Sequence, residues 1–334
     1  MRMYQAGILG ASTLLAKELM TWLSKWHWME CPLILMDEKS KTGEIAMFQS
    51  HYLPIHAYDQ SRIEACDVIF DCMETYDEKI AGWIHPKTYV IHMHSYHKED
   101  QIIVPNVNVS DVRKESHHIF IPYASFLLLS SVLAVAKKQT SVDACIVTSL
   151  QSAAEIGYEG REDLISQMQA FVHDDEMESK MFPLPDAYQH LPLLFQPLPQ
   201  TTALREDGFT LEETFLFEKM TACFLSPPKV SATCVRVASL HGLSMSITLS
   251  LQHETKLDRL VDGLTSDPSF ICMDDVTHNM YPICADVLHD YRIYIGRMRM
   301  RDAHTFQGWA VCDDLAIRST AAIKAARYLL HNIL

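Results

Sequence analysis

Apolar residues in the first third of the chain follow two alternating rhythms. Short unbroken runs, YQAGIL (4–9), PLILM (32–36), CDVIFDCM (66–73), TYVIHMH (88–94) and HIFIP (118–122), have the length and β-branched content of buried strands. Between the first two, TLLAKELMTWLSKW (13–26) repeats apolar residues at Leu15, Leu19, Trp22, Leu23 and Trp26, the spacing of one helix face. Buried strands alternating with helices predict a parallel sheet covered on both sides, a Rossmann-type arrangement. The longest apolar stretch, 119–136, is broken by Pro122, Tyr123 and three serines, so it predicts a strand, a turn and a buried helix over 124–138 rather than a membrane span.

Beyond that helix the pattern changes. VDACIVTSLQ (142–151), VSATCVRVASL (230–240), MSITLSLQ (245–252), RIYIGRMRM (292–300) and GWAVCD (308–313) read as strands, and the turn between the second and third predicts that these two pair. Helices are expected over 161–171 and 211–224, with a loop-like, acidic, proline-bearing stretch at 172–210 between them. An amphipathic helix over 315–334 closes the chain. The expected fold class is α/β: an N-terminal Rossmann-type parallel sheet plus an α+β domain with a mixed or antiparallel sheet.

Composition narrows the function classes. The 334 residues are 48% hydrophobic and 21% charged, with a net charge of -14 and no Lys/Arg cluster, which argues against nucleic acid as a partner. The nine cysteines are scattered and never spaced CxxC, which predicts free thiols in a reducing compartment rather than disulfides or a Cys-rich zinc site. The N-terminal residues enter a strand directly with no signal-peptide pattern, so a cytoplasmic protein is expected.

The first loop, GILGAS, offers Gly7, Gly10, Ala11, Ser12 and Thr13 as candidate contacts to a dinucleotide. A dinucleotide loop places glycines where backbone meets pyrophosphate. Here the position after Ser12 holds Thr13, whose β-carbon would crowd a phosphate while its hydroxyl could cap the helix. A plain strand–helix turn is the favoured reading. Asp37, at the end of the second strand, is a candidate to accept from a ribose hydroxyl and to repel the extra phosphate of NADP; a solvated turn acid beside Glu38 is the favoured reading.

Several ordered segments resemble the aspartate-semialdehyde dehydrogenase family: GILGAS, VPNVN (104–108), SLQSAAEIGYEG (149–160), EDGFTLEE (206–213), VSATCVRVASLHGLS (230–244), GRMRMRD (296–302) and WAVCDD (309–314). The resemblance runs from end to end. It implies a Rossmann-type NAD(P)-binding domain over 1–123 with the C-terminal helix 314–334 packing back on it, and a catalytic-like dimerisation domain over 124–313. It also implies NADP-linked interconversion of aspartyl phosphate and aspartate semialdehyde through a thiolate nucleophile and a histidine. Carried over by position, the nucleophilic cysteine falls on Ala124 and the catalytic histidine on Leu243, with His241 two residues away. A phosphate-contacting lysine falls on Phe215. Gln151, a substrate-contacting glutamate at Glu213 and a substrate-binding arginine at Arg236 are retained. The chain is most similar to the Usg-like branch, whose members also depart at the nucleophile.

Three further features complete the candidates. Ser125 is a nucleophile only with an adjacent base, and a helix-capping role is favoured. His92, His94 and His97 have metal-ligand spacing, but no further ligand is evident, so no metal is expected. Glu213 and Arg236 are expected to serve either as a structural ion pair or as an anion site. The leading expectation is a catalytically inactive homologue, a homodimer or a heterodimer with an active relative. The alternative is an active NAD(P)-dependent oxidoreductase acting on an aldehyde by altered chemistry.

Overall fold

The computed structural model describes residues 4–28, 31–75, 77–94, 97 and 100–334. The chain divides into two compact units, Met1–Pro122 with Arg318–Leu334, and Tyr123–Ile317.

The first unit holds β1 (Ala6–Leu9), β2 (Leu33–Asp37), β3 (Ile45–Phe48), β4 (His51–Ala57), β5 (Val68–Asp71), β6 (Tyr89–His92), β7 (Gln101–Ile102) and β8 (His118–Phe120). They form one sheet in the order β3-β4-β2-β1-β5-β6-β8-β7. Every neighbouring pair is parallel except β3–β4. The five strands expected from apolar runs are present, trimmed at their ends. β3 and β4 escaped the sequence reading because their residues are half exposed and Pro54 interrupts the run. The strand order reverses at β1, so a crevice opens outside the carboxyl ends of β1 and β5, where sheets of this kind bind ligands.

Gly10 makes that crossing possible. Its φ is +69°, and a β-carbon there would lie 2.9 Å from the backbone carbon and oxygen of Cys72 at the end of β5. The helix Leu14–Lys25 follows at once, capped by the Thr13 hydroxyl, which accepts from Ala16 N–H at 3.2 Å. The closing helix Asp314–Asn332 contributes its later turns to this unit. Arg327 donates to the Trp26 carbonyl and Lys324 to Asn106 Oδ1, while Ala322, Ile323, Ala326 and Leu329 are fully buried.

The second unit holds β9 (Val142–Gln151), β10 (Lys229–Arg236), β11 (Leu243–Leu251), β12 (Phe270–Cys272), β13 (Ile293–Asp302) and β14 (Thr305–Cys312), ordered β10-β9-β11-β14-β13-β12. The expected pairing of the second and third strands does not occur. β9 lies between them, parallel to β10 and antiparallel to β11. The link 237–242 crosses the end of β9, with Val237 N–H on the Gln151 carbonyl and Ala153 N–H on the Ser239 carbonyl. The tight-turn signal at His241–Gly242 therefore serves a crossover, not a hairpin. The helix Ala124–Gln139 is buried along nearly its whole length, as the unbroken apolar run implies. The helix Leu211–Glu218 ends six residues earlier than expected and passes into a 3-10 turn over Lys219–Ala222. Among the described residues no helix is long and apolar enough to cross a membrane.

The Gly10 geometry gives a stability test. Gly10→Ala meets both a left-handed φ and a backbone clash and is expected to cost about 3 kcal/mol or more in urea denaturation, whereas Gly43→Ala, at φ +92° with nothing within 4 Å, costs about 1–2 kcal/mol. Equal costs at the two positions would rule out the clash.

Candidate functional site

Sheet register assembles the core of the site in the second unit. Gln151 ends β9. It lies opposite Arg236 of β10 on one side and Leu243 of β11 on the other, and Leu243 lies opposite Cys312 of β14. Residues in register on neighbouring strands share a face of the sheet, so four residues far apart in sequence form one row. The helix Ala124–Gln139 brings its first turn to the same place. Ser125 Oγ donates to Glu212 Oε1 at 2.5 Å, and Gln151 Nε2 donates to that same oxygen at 2.6 Å. The Thr201 hydroxyl donates to the other oxygen of Glu212 at 2.6 Å. Ala124, Ser125, Gln151, Arg236 and Leu243 are thus brought together.

Glu213 is not part of this cluster. One of its oxygens accepts from Thr210 N–H at 2.8 Å and the other from Cys234 N–H at 2.9 Å, and its own N–H donates to the Thr210 hydroxyl. This is a capping box at the head of Leu211–Glu218. The acid facing the site is Glu212, which the sequence reading passed over. The signal was present: a Thr followed three residues later by Glu marks the second glutamate as a cap. The expected Glu213–Arg236 ion pair is likewise absent from the described contacts. Ser125 also departs from expectation, since it sits inside the first helical turn and bonds Glu212 instead of capping backbone.

Arg236 is buried, 2% exposed. Its Nη1 donates to the Ser152 carbonyl at 2.8 Å and its Nη2 to the Thr201 carbonyl at 3.1 Å. Its Nε has no hydrogen-bond partner. Burial lowers its pKa, while Glu155, Glu212 and Asp314 act in the opposite direction. A buried guanidinium with an unused donor is suited to an anionic ligand.

Apolar side chains border the cluster. Ala124 and Leu243 are both fully buried. Phe215 packs edge-on against Phe126 at 5.1 Å and Tyr123 at 5.5 Å between ring centres. Several thiols are held in the protonated form. Burial raises Cys234, and Glu212 adds to the effect. Cys66 and Cys145 are pushed up to about 12 by burial, and Cys72, Cys284 and Cys312 are also raised with burial as the first cause. A thiol with a raised pKa stays protonated and is a poor nucleophile.

In the first unit the loop after β1 is closed on itself. Ala11 N–H donates to the Met36 carbonyl, Ser12 N–H to Asp37 Oδ2 at 2.6 Å, and Thr13 N–H to the Gly10 carbonyl. Asp37 is buried, and its second oxygen accepts from Glu38 N–H at 2.7 Å. It is not a solvated turn acid: it ties the loop to β2. Residues 11–13 therefore offer no backbone donor to a pyrophosphate, and they do not fit NADP or NAD in this conformation.

The histidines separate. His94 lies apart, its imidazole pushed down to about 4 by burial and then by Arg318. His92 Nδ1 is 2.8 Å from Asp71 Oδ2, and His92 Nε2 is 3.0 Å from His118 Nδ1. The His97 ring meets the His92 ring edge-on, 5.4 Å between centres. Sequence proximity thus chose His94 and passed over His118 and Asp71.

With this geometry in place, comparison with known proteins is informative. The family model of the semialdehyde dehydrogenase dimerisation domain matches residues 133–317, more than half of the chain. An aspartate-semialdehyde dehydrogenase of Bacillus subtilis is 23% identical over 317 residues, covering 92% of each chain. The crystal structure of aspartate semialdehyde dehydrogenase II from Vibrio cholerae complexed with ASA superimposes with a TM-score of 0.88 at 18% identity, covering 100% of both chains. The Candida albicans enzyme, solved with NADP, gives a TM-score of 0.70 at 18% identity, again over 100% of each. The matched region, more than half of the polypeptide, places this chain in the semialdehyde dehydrogenase family.

Proposed function

We propose that this chain is a member of the family that has lost the NADP-dependent reductive dephosphorylation of aspartyl phosphate, as the Usg-like resemblance implies, and acts as a dimeric binding protein. The observation that carries the reading is joint replacement at one site: Ala124, Leu243 and Phe215 are all buried beside a preserved polar cluster. Removing a nucleophile and its proton-transfer partner from such a unit costs several orders of magnitude in rate. The closed loop over residues 11–13 supports the same reading from the cofactor side.

What remains is suited to holding a small anion. Arg236 keeps an unpartnered Nε, and Gln151 stands next to it in register. The dimer rests on the matched dimerisation domain and on apolar side chains exposed in the second unit, among them Phe171, Val172, Phe195 and Leu211. A homodimer uses only this chain. A heterodimer with an active relative is the alternative assembly, and co-purification from the native host separates the two.

The second reading, an NAD(P)-dependent aldehyde oxidoreductase of altered chemistry, is favoured by the family's fold alone, because hydride transfer does not itself require a covalent thiol. The two readings differ in outcome. The purified chain is expected to reduce neither NADP nor NAD in the presence of aspartate semialdehyde and phosphate, and calorimetry with either cofactor up to millimolar is expected to give no heat. Ala124→Cys combined with Leu243→His is expected to remain inactive, because the loop is unchanged. Turnover by the wild-type chain, tracking it through purification, would overturn the inactive reading.

Glu212 supplies a separate check on the polar cluster. Glu212→Gln places an amide where a carboxylate accepts three donors, leaving at least one buried donor unpaired. A loss of about 1–3 kcal/mol in urea denaturation is expected. A change too small to measure would mean that the carboxylate does not hold these elements together.

A further inference from the structure

Four neighbouring strands of the first sheet carry a row of metal-ligating residues. The strand order there is β5-β6-β8-β7. Asp71 of β5 is in register with His92 of β6. His92 is in register with Phe120 of β8, so His118, two residues back, lies on the same face of the sheet. Gln101 of β7 is in register with Ile119, which sets Asp100 beside His118. One residue from each strand therefore contributes to a single diagonal row.

The side chains follow that row. One ligand atom each from His92, Asp100 and His118 lies within 4.8 Å of the others. The two imidazoles are stacked, 5.3 Å apart with 10° between their planes, and present Nε2 of His92 and Nδ1 of His118 to each other at 3.0 Å. Two nitrogens bound to one tetrahedral zinc at about 2.0–2.1 Å lie roughly 3.3 Å apart, so a shift of a few tenths of an ångström admits the ion. Asp71 holds the far nitrogen of His92 at 2.8 Å, and its other oxygen accepts from Met73 N–H at 3.1 Å. A buried carboxylate on Nδ1 fixes the proton there and turns the Nε2 lone pair toward the ligand position, the arrangement that orients metal-bound histidines. Asp100 is itself positioned, accepting the His97 backbone N–H at 2.8 Å. His118 opens to solvent, which gives an entry path.

We propose that His92, His118 and Asp100 bind one divalent transition-metal ion of the zinc class, with Asp71 as a positioning residue and a fourth coordination position left to water. The competing account of the same contacts is a metal-free Asp71–His92–His118 hydrogen-bond chain. The site belongs to the first unit alone and does not depend on the proposed loss of activity.

The test uses the full chain stripped of metal with a chelator, then titrated with zinc against a competing indicator. One tightly bound zinc per chain and a metal-dependent rise in Tm are expected. Co2+ in its place is expected to give the intense visible absorption of a tetrahedral site. His118→Gln, at the open side of the row, and Asp100→Asn, which keeps an acceptor for the His97 N–H, should abolish the tight site while the metal-free proteins keep the wild-type Tm. Asp71→Asn should weaken binding about 10–100-fold without removing the cobalt spectrum. Absence of micromolar zinc binding by the wild-type chain, or binding undiminished in the His118→Gln/Asp100→Asn double variant, would overturn the proposal in favour of the hydrogen-bond chain.

Discussion

One buried carboxylate organises the second unit. Glu212 accepts from Ser125 on the helix Ala124–Gln139, from Gln151 at the end of β9 and from Thr201 in the long irregular segment before the helix Leu211–Glu218. A carboxylate taken from water is stable only when donors replace the water it lost. Three elements of unrelated sequence are therefore obliged to meet at one point. Gln151 in turn carries Arg236 and Leu243 with it by sheet register. The side chain at position 124 takes no part in this arrangement, because its neighbour Ser125 is the residue that bonds Glu212.

The same principle of internal satisfaction closes the glycine loop. Asp37 accepts from Ser12 N–H, an interaction that competes directly with any phosphate for that donor. An acid in this position also opposes a second negative charge by simple Coulomb repulsion. The loop and the cluster around Glu212 lie in different units and in distant parts of the sequence, and in each a carboxylate takes up the local donors.

The sequence disclosed the elements better than their neighbours. Five strands of the first sheet, the buried helix after Pro122 and the closing amphipathic helix follow from apolar periodicity, because burial on one face or on all faces leaves a local imprint. Strand order does not. The pairing expected between β10 and β11 failed because β9, which ends 78 positions before β10 begins (151 to 229), inserts between them, and local turn chemistry carries no information about that. The choice of Glu213 over Glu212 failed for a finer reason. Adjacent helical residues point about 100° apart, so a shift of one position exchanges a cap for a site residue. Here the capping-box spacing from Thr210 was legible and would have settled it.

The histidine row shows the limit in its sharpest form. His92, His94 and His97 are neighbours in sequence, yet it is His92, the last residue of β6, whose imidazole bonds Asp71. His118 and Asp100 join His92 through register between parallel strands, and register is fixed by how whole sheets bury their faces. Ligand sets built across strands are invisible to spacing rules that were derived from turns and helices. A cluster of this kind is found by asking which polar residues occupy the same face at the same level of adjacent strands, and that question has an answer only after strand order is known.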